Sequence, residues 1–518
     1  MPEPLRCLPP NAVVVGYDFS TGGAKALAFD MNGNTLASVK FPTDLWTEGG
    51  VSELSALLLE GQAHATTRAI VAELAAIGRL NDWQVCGISA THHTAGRIDS
   101  RQNPVRRLIC WNDQTLAAFH AEGLARLGGE ARARELTGGP WAVRYSLSHL
   151  VKDAHIMPGA TDSLLPLADW QRTKWMLPHG SLAAGYLTDR FGVASVSSAA
   201  STGIMDLRTD TWRKEMLDAL PPEYRELAWN SLPRIIDMDT AIGSLAEHIA
   251  LEAGLPPRVR PVLFPTLDDQ AAGLIGGGAV DAGHVAIILG NSAVVNSSSS
   301  ELPRSGSLDA MKLNWGPYLW MRCYSNGAQF LDKVVGPNRT QAEWVALTAA
   351  ASAQPPLCGG VNVLPFVLSE PSIGVNAPRE DWSPREPSEP GLRTRAAFEA
   401  IAYLIALAVR EHEAAGQAIT RVTVSGGIAR NDLMVKILAS VLNRPLERLA
   451  SDEGSALGAA VAAVAGAERS ARQRRRIAEP FTAGDAVAAL VKFRDRVEPV
   501  GEWVGPYRQG LEAFQAKR

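Results

Sequence analysis

Cysteine is scarce in this chain: five in 518 residues, at positions 7, 86, 110, 323 and 358. The number is odd and no pair has metal-ligand spacing. That argues against a disulfide framework and makes a reducing compartment the default. No apolar stretch approaches ~20 residues, so no membrane span is expected. The opening Met-Pro-Glu-Pro-Leu-Arg-Cys lacks the basic and apolar regions of a signal peptide. Charge of one sign is also missing. Fifty Lys and Arg stand against 54 Asp and Glu, a net charge of -4, which leaves no electrostatic footprint for nucleic acid. The 46 Gly and 32 Pro are too few for a disordered or collagenous chain. Neither a Walker A sequence nor the glycine spacing of a dinucleotide-binding turn occurs. These absences leave a soluble cytoplasmic enzyme with a small-molecule partner as the expectation.

What is present is ordinary in bulk, with 46% hydrophobic and 20% charged residues, and the length suits two large domains or three small ones. Val13-Val14-Val15, the turn Asp18-Phe19-Ser20-Thr21-Gly22-Gly23 and Lys25–Phe29 read as strand, turn, strand. Residues 53–80 carry helical periodicity and Val85–Ser89 reads as a buried strand. The design recurs about 270 residues later in Val285–Leu289, Gly290-Asn291-Ser292 and Ala293–Asn296. A third strand, Val422-Thr423-Val424, leads through Ser425-Gly426-Gly427 into a helix. The spacing predicts two related α/β domains rather than a solenoid, with a boundary near residues 275–283. Six prolines between residues 365 and 391 predict an irregular surface excursion. Residues 467–478, with Arg472, Arg474, Arg475 and Arg476, read as a solvated helix face.

Five segments can carry chemistry. A strand ending in Asp18 and a small-residue turn lets backbone N–H groups converge on a phosphate, and Asp18 can hold Mg²⁺ while Lys25 adds positive charge; a plain β-hairpin is the competing reading. Gly290-Asn291-Ser292 could be a second phosphate turn, or simply a turn. Gly426 and Gly427, between a strand and a helix, let a nucleotide approach the backbone closely. Leu267-Asp268-Asp269-Gln270 follows the apolar Val262-Leu263-Phe264; its Asp is either a helix N-cap or a general base. Thr91-His92-His93-Thr94 and Trp111-Asn112-Asp113 offer hydrogen-bond partners and an apolar wall for a polyhydroxylated ligand. A His92–His93 metal pair is disfavoured because adjacent residues at a strand end point apart.

These segments, in this order, resemble the FGGY carbohydrate kinases, most closely the xylulokinase-like branch, from about residue 12 to residue 466. The resemblance implies two actin-like (ribonuclease-H-like) ATPase domains flanking a deep catalytic cleft. It divides the chain into a sugar-binding domain at 11–277, an ATP-binding domain at 278–466 and a helical tail at 467–518. It implies ATP and Mg²⁺ as cofactors and admits a homodimer. Asp269 looks like the general base, preferred to Asp268 because the family pattern is D-[NQ]-x-A. Gln270, His93, Trp111, Asn112 and Asp113 fall on the sugar side. Ser20, Thr21, Lys25, Gly290, Asn291, Ser292, Gly327, Gly426, Gly427 and Asn431 fall on the ATP side, with Asp18 for the metal. Several positions depart from the pattern. Ser20 stands where the first turn has Gly, and Asn291 where the second has Thr. Thr91–Thr94 replaces Q-M-H-G, and Leu364–Pro371 resembles L-P-[YF]-x-x-G-E-R without the Arg. A ketopentose such as xylulose or ribulose is the expected acceptor. The alternatives are a polyol (glycerol, erythritol or another alditol), or an idle sugar-binding protein on the same fold.

Overall fold

The computed structural model describes residues 6–304 and 308–518. The chain divides into two units. The first holds residues up to 276 together with 309–319 and 455–491, and the second holds 277–308, 320–454 and 492–518.

In the first unit, β1 (Val13–Ser20) and β2 (Gly23–Asp30) form a tight antiparallel hairpin, continued by β3 (Thr35–Phe41). The helix expected over 53–80 is α1 (Ala56–Ala76), started by the Ser55 side chain accepting from the Leu58 N–H. It buries Leu59, Ala63, Ile70 and Leu74, one face at helical spacing. The expected buried strand is β4 (Trp83–Ala90), which runs parallel to β1. Two short strands, β5 (Val262–Leu263) and β6 (Leu267–Asp268), also pair with β4 in parallel. The second of them passes directly into α2 (Asp269–Gly276). Phe19 is registered with Ala90, and Ala90 with Asp268. The carboxyl ends of three parallel strands therefore lie in one row, the position where open α/β sheets bind ligands.

The second unit repeats the plan. Here β7 (His284–Leu289) and β8 (Ala293–Ser299) form an antiparallel hairpin. Strand β9 (Tyr318–Tyr324) lies beyond β8. Helix α3 (Ala328–Val335) follows, and the long α4 (Pro390–Ala414) buries an almost continuous apolar surface. Strand β10 (Arg421–Ser425) runs parallel to β7, as β4 does to β1. Helix α5 (Asp432–Leu442) and β11 (Leu446–Leu449) complete the repeat. This pair of sheets, each a hairpin extended by a parallel strand, is the expected two-domain actin-like α/β architecture.

The C-terminal region departs from expectation. Helix α6 (Gly454–Arg475) is one unbroken element across the expected boundary at 466, and 455–491 belongs to the first unit. The reason is backbone-level packing. A Cβ on Gly16 of β1 would lie 1.9 Å from the Ala456 carbonyl oxygen, and one on Gly458 would lie 1.9 Å from that of Ala272 in α2. Only glycine allows this approach. Residues 492–518 return to the second unit, where β12 (Phe493–Val497) pairs with β11 and α7 (Gly501–Lys517) follows. There is accordingly no separate helical tail at 467–518. Arg474, Arg475 and Arg476 are exposed, as expected of a solvated basic face, and Arg472 alone of the four departs from it. It is buried, donates to the Glu479 carbonyl at 2.8 Å and stacks on Phe481. The proline-rich stretch holds an ordered pair of strands, Asn362–Phe366 with Arg379–Ser383.

Candidate active site

Asp18 sits near the end of β1, registered with Lys25 on β2 and Ser89 on β4. Directly paired residues share a face of the sheet, and the Ser89 hydroxyl donates to Asp18 Oδ1 at 3.0 Å. Asp269 opens α2, where an acidic group favours the positive end of the helix. Its carboxyl is pushed up to about 7, first by loss of water and then by the negative charge of Asp18. The backbone N–H groups of His92 and Gln270, and the Gln270 side chain, act in the opposite direction. The side chain of Asp269 is 27% exposed and that of Asp268 3%. Of the two, Asp269 is the more accessible.

Asp268 faces inward, and burial raises its carboxyl well above the usual range, with the Asp269 charge adding to the effect. The Ser201 and Ser198 hydroxyls oppose the shift. Its Oδ2 lies 3.3 Å from His92 Nε2, and His92 Nδ1 lies 3.9 Å from Asp269 Oδ1. The two histidines do not point apart as expected. Strand β4 ends at Ala90 and His93 has a φ of 58°, which folds the rings into a stack with centroids 3.8 Å apart. The stack continues to Tyr145 at 4.4 Å, and His93 Nδ1 bonds the Ser201 carbonyl at 2.8 Å. Thus His92 is the histidine against the carboxylates, while His93 forms the next layer.

Of Trp111-Asn112-Asp113, Trp111 is exposed at 36%, Asn112 is half-buried and Asp113 is buried. Asn112 Oδ1 accepts from the Ser52 hydroxyl at 2.8 Å. Asp113 is buried, with Lys152 Nζ on Oδ2 at 2.8 Å and the Thr115 hydroxyl on Oδ1 at 2.5 Å. Both carboxylate oxygens are engaged inside the first unit, a structural role that sequence spacing did not reveal. In the first turn, the Ser20 hydroxyl donates to the Gly23 carbonyl at 3.0 Å and accepts from the Gly22 N–H, which closes the hairpin around Thr21.

The second unit brings four of its expected segments together. The Gly327 N–H donates to the Asn291 carbonyl at 3.1 Å and the Ala328 N–H to that of Gly290 at 2.9 Å. This docks the start of α3 on the turn Gly290-Asn291-Ser292. Gly426, with a φ of 95°, lies against the end of β7; a Cβ there would stand 2.4 Å from the Leu289 carbonyl oxygen. Nothing lies within 4 Å of a Cβ placed on Gly427. Asn431 is used structurally. It caps α5 through the Met434 N–H and donates to the Thr348 hydroxyl at 2.6 Å. Glu370, buried in the L-P-F-V-L-S-E stretch, accepts from the Ser325 and Asn326 N–H groups and the Asn326 amide, fixing the segment that leads to Gly327. No cluster of three or more His, Cys, Asp or Glu suited to a metal occurs among the described residues.

Comparisons with known proteins bear on the family and the fold. The N-terminal domain of the FGGY family of carbohydrate kinases matches residues 13–276, and its C-terminal domain residues 285–467. The xylulose kinase of Escherichia coli (strain K12) is 26% identical over 468 residues, covering 86% of this chain and 88% of that one. The glycerol kinase of Gloeobacter violaceus is 28% identical over 495 residues, covering 88% of each. Among solved structures, the xylulose kinase from Rhodospirillum rubrum aligns with a TM-score of 0.81 at 21% identity, covering 98% of both chains. With both family domains matched in order along most of its length, this chain belongs to the FGGY family of carbohydrate kinases, phosphotransferases that use ATP and an alcohol acceptor.

Proposed function

We propose that this kinase transfers the γ-phosphate of ATP to a hydroxyl of a ketopentose such as xylulose or ribulose, with Asp269 as general base. The observation that carries the reading is the partly exposed Asp269 carboxyl at the start of α2, held at about 7. A base with that affinity accepts a proton readily near neutral pH. Gln270, next to it, and the exposed Trp111 supply an amide and an apolar face for a polyhydroxylated acceptor. His93 contributes through the ring stack, and Asn112 and Asp113 hold that wall in place. The acceptor hydroxyl gives its proton to Asp269 as its oxygen bonds to phosphorus and the ADP oxygen leaves.

On the nucleotide side, Gly290, Asn291, Ser292 and Gly327 form a docked turn, and Gly426, packed against β7, sets Gly427 as open backbone where ATP is to lie. Ser20, Thr21 and Lys25 form a second small turn with a cation for phosphate oxygens. Asp18 fits Mg²⁺: its charge and that of Asp269 repel each other, a strain that a divalent cation relieves. One or two carboxylates with retained water suit Mg²⁺. When bound, Mg²⁺ neutralises charge on the transferred phosphate.

A polyol acceptor is the second reading, favoured by the glycerol kinase relatives at equal coverage. ADP release with Mg-ATP is the test, against D- and L-xylulose, D- and L-ribulose, glycerol, erythritol, ribitol and xylitol. Turnover highest with one ketopentose and abolished by Asp269→Ala is expected. Preference for glycerol or an alditol would move the assignment to the second reading. Tight binding without turnover would point to an idle sugar-binding protein.

A further inference from the structure

Four buried polar atoms beside the proposed base make no hydrogen bond in the observed arrangement: His92 Nδ1, His92 Nε2, Asp268 Oδ2 and Asp269 Oδ1. An unsatisfied buried polar atom costs about 1–3 kcal/mol, so four in one place require an explanation. They face one another. His92 Nε2 looks onto Asp268 at 3.3 Å and Nδ1 onto Asp269 at 3.9 Å, so the ring spans the two carboxyl groups. The stack on His93 and Tyr145 fixes its plane. Catalytic hydrogen bonds are often long before substrate binds and shorten in the complex.

We propose that His92 and Asp268 are a positioning pair for Asp269: Asp268 orients the ring through Nε2, and the Nδ1–H donates to Asp269 Oδ1, which turns the other carboxylate oxygen toward the acceptor. The inference rests on Asp269 being the base. The proton count is consistent. Burial keeps the proton on Asp268, which donates to Nε2, and the neutral ring then carries its own proton on Nδ1. His92 is held neutral, with burial first and the Arg144 charge second as causes. The charged and titratable groups around the pair are Asp18 from β1, Arg144, His93, Asp268 and Asp269. Here a positioning residue differs from a catalytic one: neither His92 nor Asp268 touches the reacting atoms.

The test uses the full chain and whichever acceptor of the eight-compound panel gives the highest wild-type kcat/KM. His92→Phe keeps the ring stack and removes both nitrogens. It should lower kcat about 10–100-fold, the cost of a misplaced reacting group, with KM for ATP unchanged. His92→Asn places an amide donor where Nδ1 stands and should recover most of that loss, whereas His92→Gln, mimicking Nε2, should not. Asp268→Asn, which still donates, should stay within about threefold of wild type, and Asp268→Leu should behave like His92→Phe. Equal loss in Phe, Asn and Gln variants that melt like wild type would reduce His92 to packing and overturn the pair. Wild-type-like kcat in His92→Phe would overturn it too, while loss of activity in Asp269→Ala would leave the base assignment standing. Full activity in Asp269→Ala would remove the base, and this inference with it.

Discussion

Gly327 presses on Gly290: a Cβ at Gly327 would stand 2.5 Å from the Gly290 carbonyl oxygen and 2.7 Å from that of Asn291. Both neighbours are backbone and cannot move without opening the turn. Gly327→Ala should therefore raise KM for ATP by about tenfold or more, because pushing a binding group aside by an ångström carries a cost of that order. Binding of the acceptor alone, followed by calorimetry, should be unaffected. An unchanged KM for ATP would separate this turn from the nucleotide.

Asp18 carries a second expectation. Asp18→Asn removes a negative charge that Asp269 feels and the carboxylate assigned to Mg²⁺. Activity should fall, and the free Mg²⁺ needed for half-maximal rate should rise about tenfold or more, as for loss of a charged ligand. An unchanged Mg²⁺ dependence would place the metal elsewhere.

Asp113 should report on stability rather than on the acceptor. Lys152 is 11% exposed and Asp113 wholly buried, so Asp113→Ala strands a buried ammonium. A loss of about 3–5 kcal/mol is expected for a buried pair broken on one side, read as a lower urea midpoint. Full stability with a raised KM for the acceptor would instead make Asp113 a substrate contact.

The pH dependence of stability has a definite sign. Burial holds His92 and His149 at about 3, His179 at about 4 and His412 at about 3. In the unfolded chain each binds a proton below about 6.5. The unfolded state then holds more protons, so stability falls as pH drops from about 6.5 toward 4, at up to about 1.4 kcal/mol per unit for each histidine. Asp268 and Asp269, with raised carboxyls, act the other way, losing stability as pH rises from about 4 toward 7. Burial also lowers His93, His120 and His284 and raises Asp210, Glu370 and Glu399, so seven histidines stand against five carboxyls and leave a net loss in acid. Thermal melts between pH 7 and pH 5 should show a falling Tm; a flat profile would mean that these rings are hydrated in solution.

Much of the frame was legible because its signals are local. The hairpin at Asp18, its repeat at Gly290 and the strand-to-helix turn at Gly426 each occupy a few consecutive residues, and turn chemistry reveals them. The run Gly454-Ser455-Ala456-Leu457-Gly458-Ala459-Ala460 is rich in small residues, a local mark of the close approach that Gly458 makes to Ala272. Less visible was anything decided by distant partners. Asp113 meets Lys152 thirty-nine residues on, Arg472 meets Phe481, and Asn431 meets Thr348. The His92 geometry depended on a left-handed residue at His93, which strand periodicity does not foresee.

The path of the chain has a consequence for anyone wishing to take the protein apart. Because the polypeptide passes between its two units five times, at 276, 308, 319, 454 and 491, no single cut frees either one. A fragment ending at 276 would carry Asp18 and Asp269 but would expose the glycine-lined surface on which α6 rests. Splitting the first unit from the second would need the chain rewired, with both 309–319 and 455–491 joined to the segment that ends at 276.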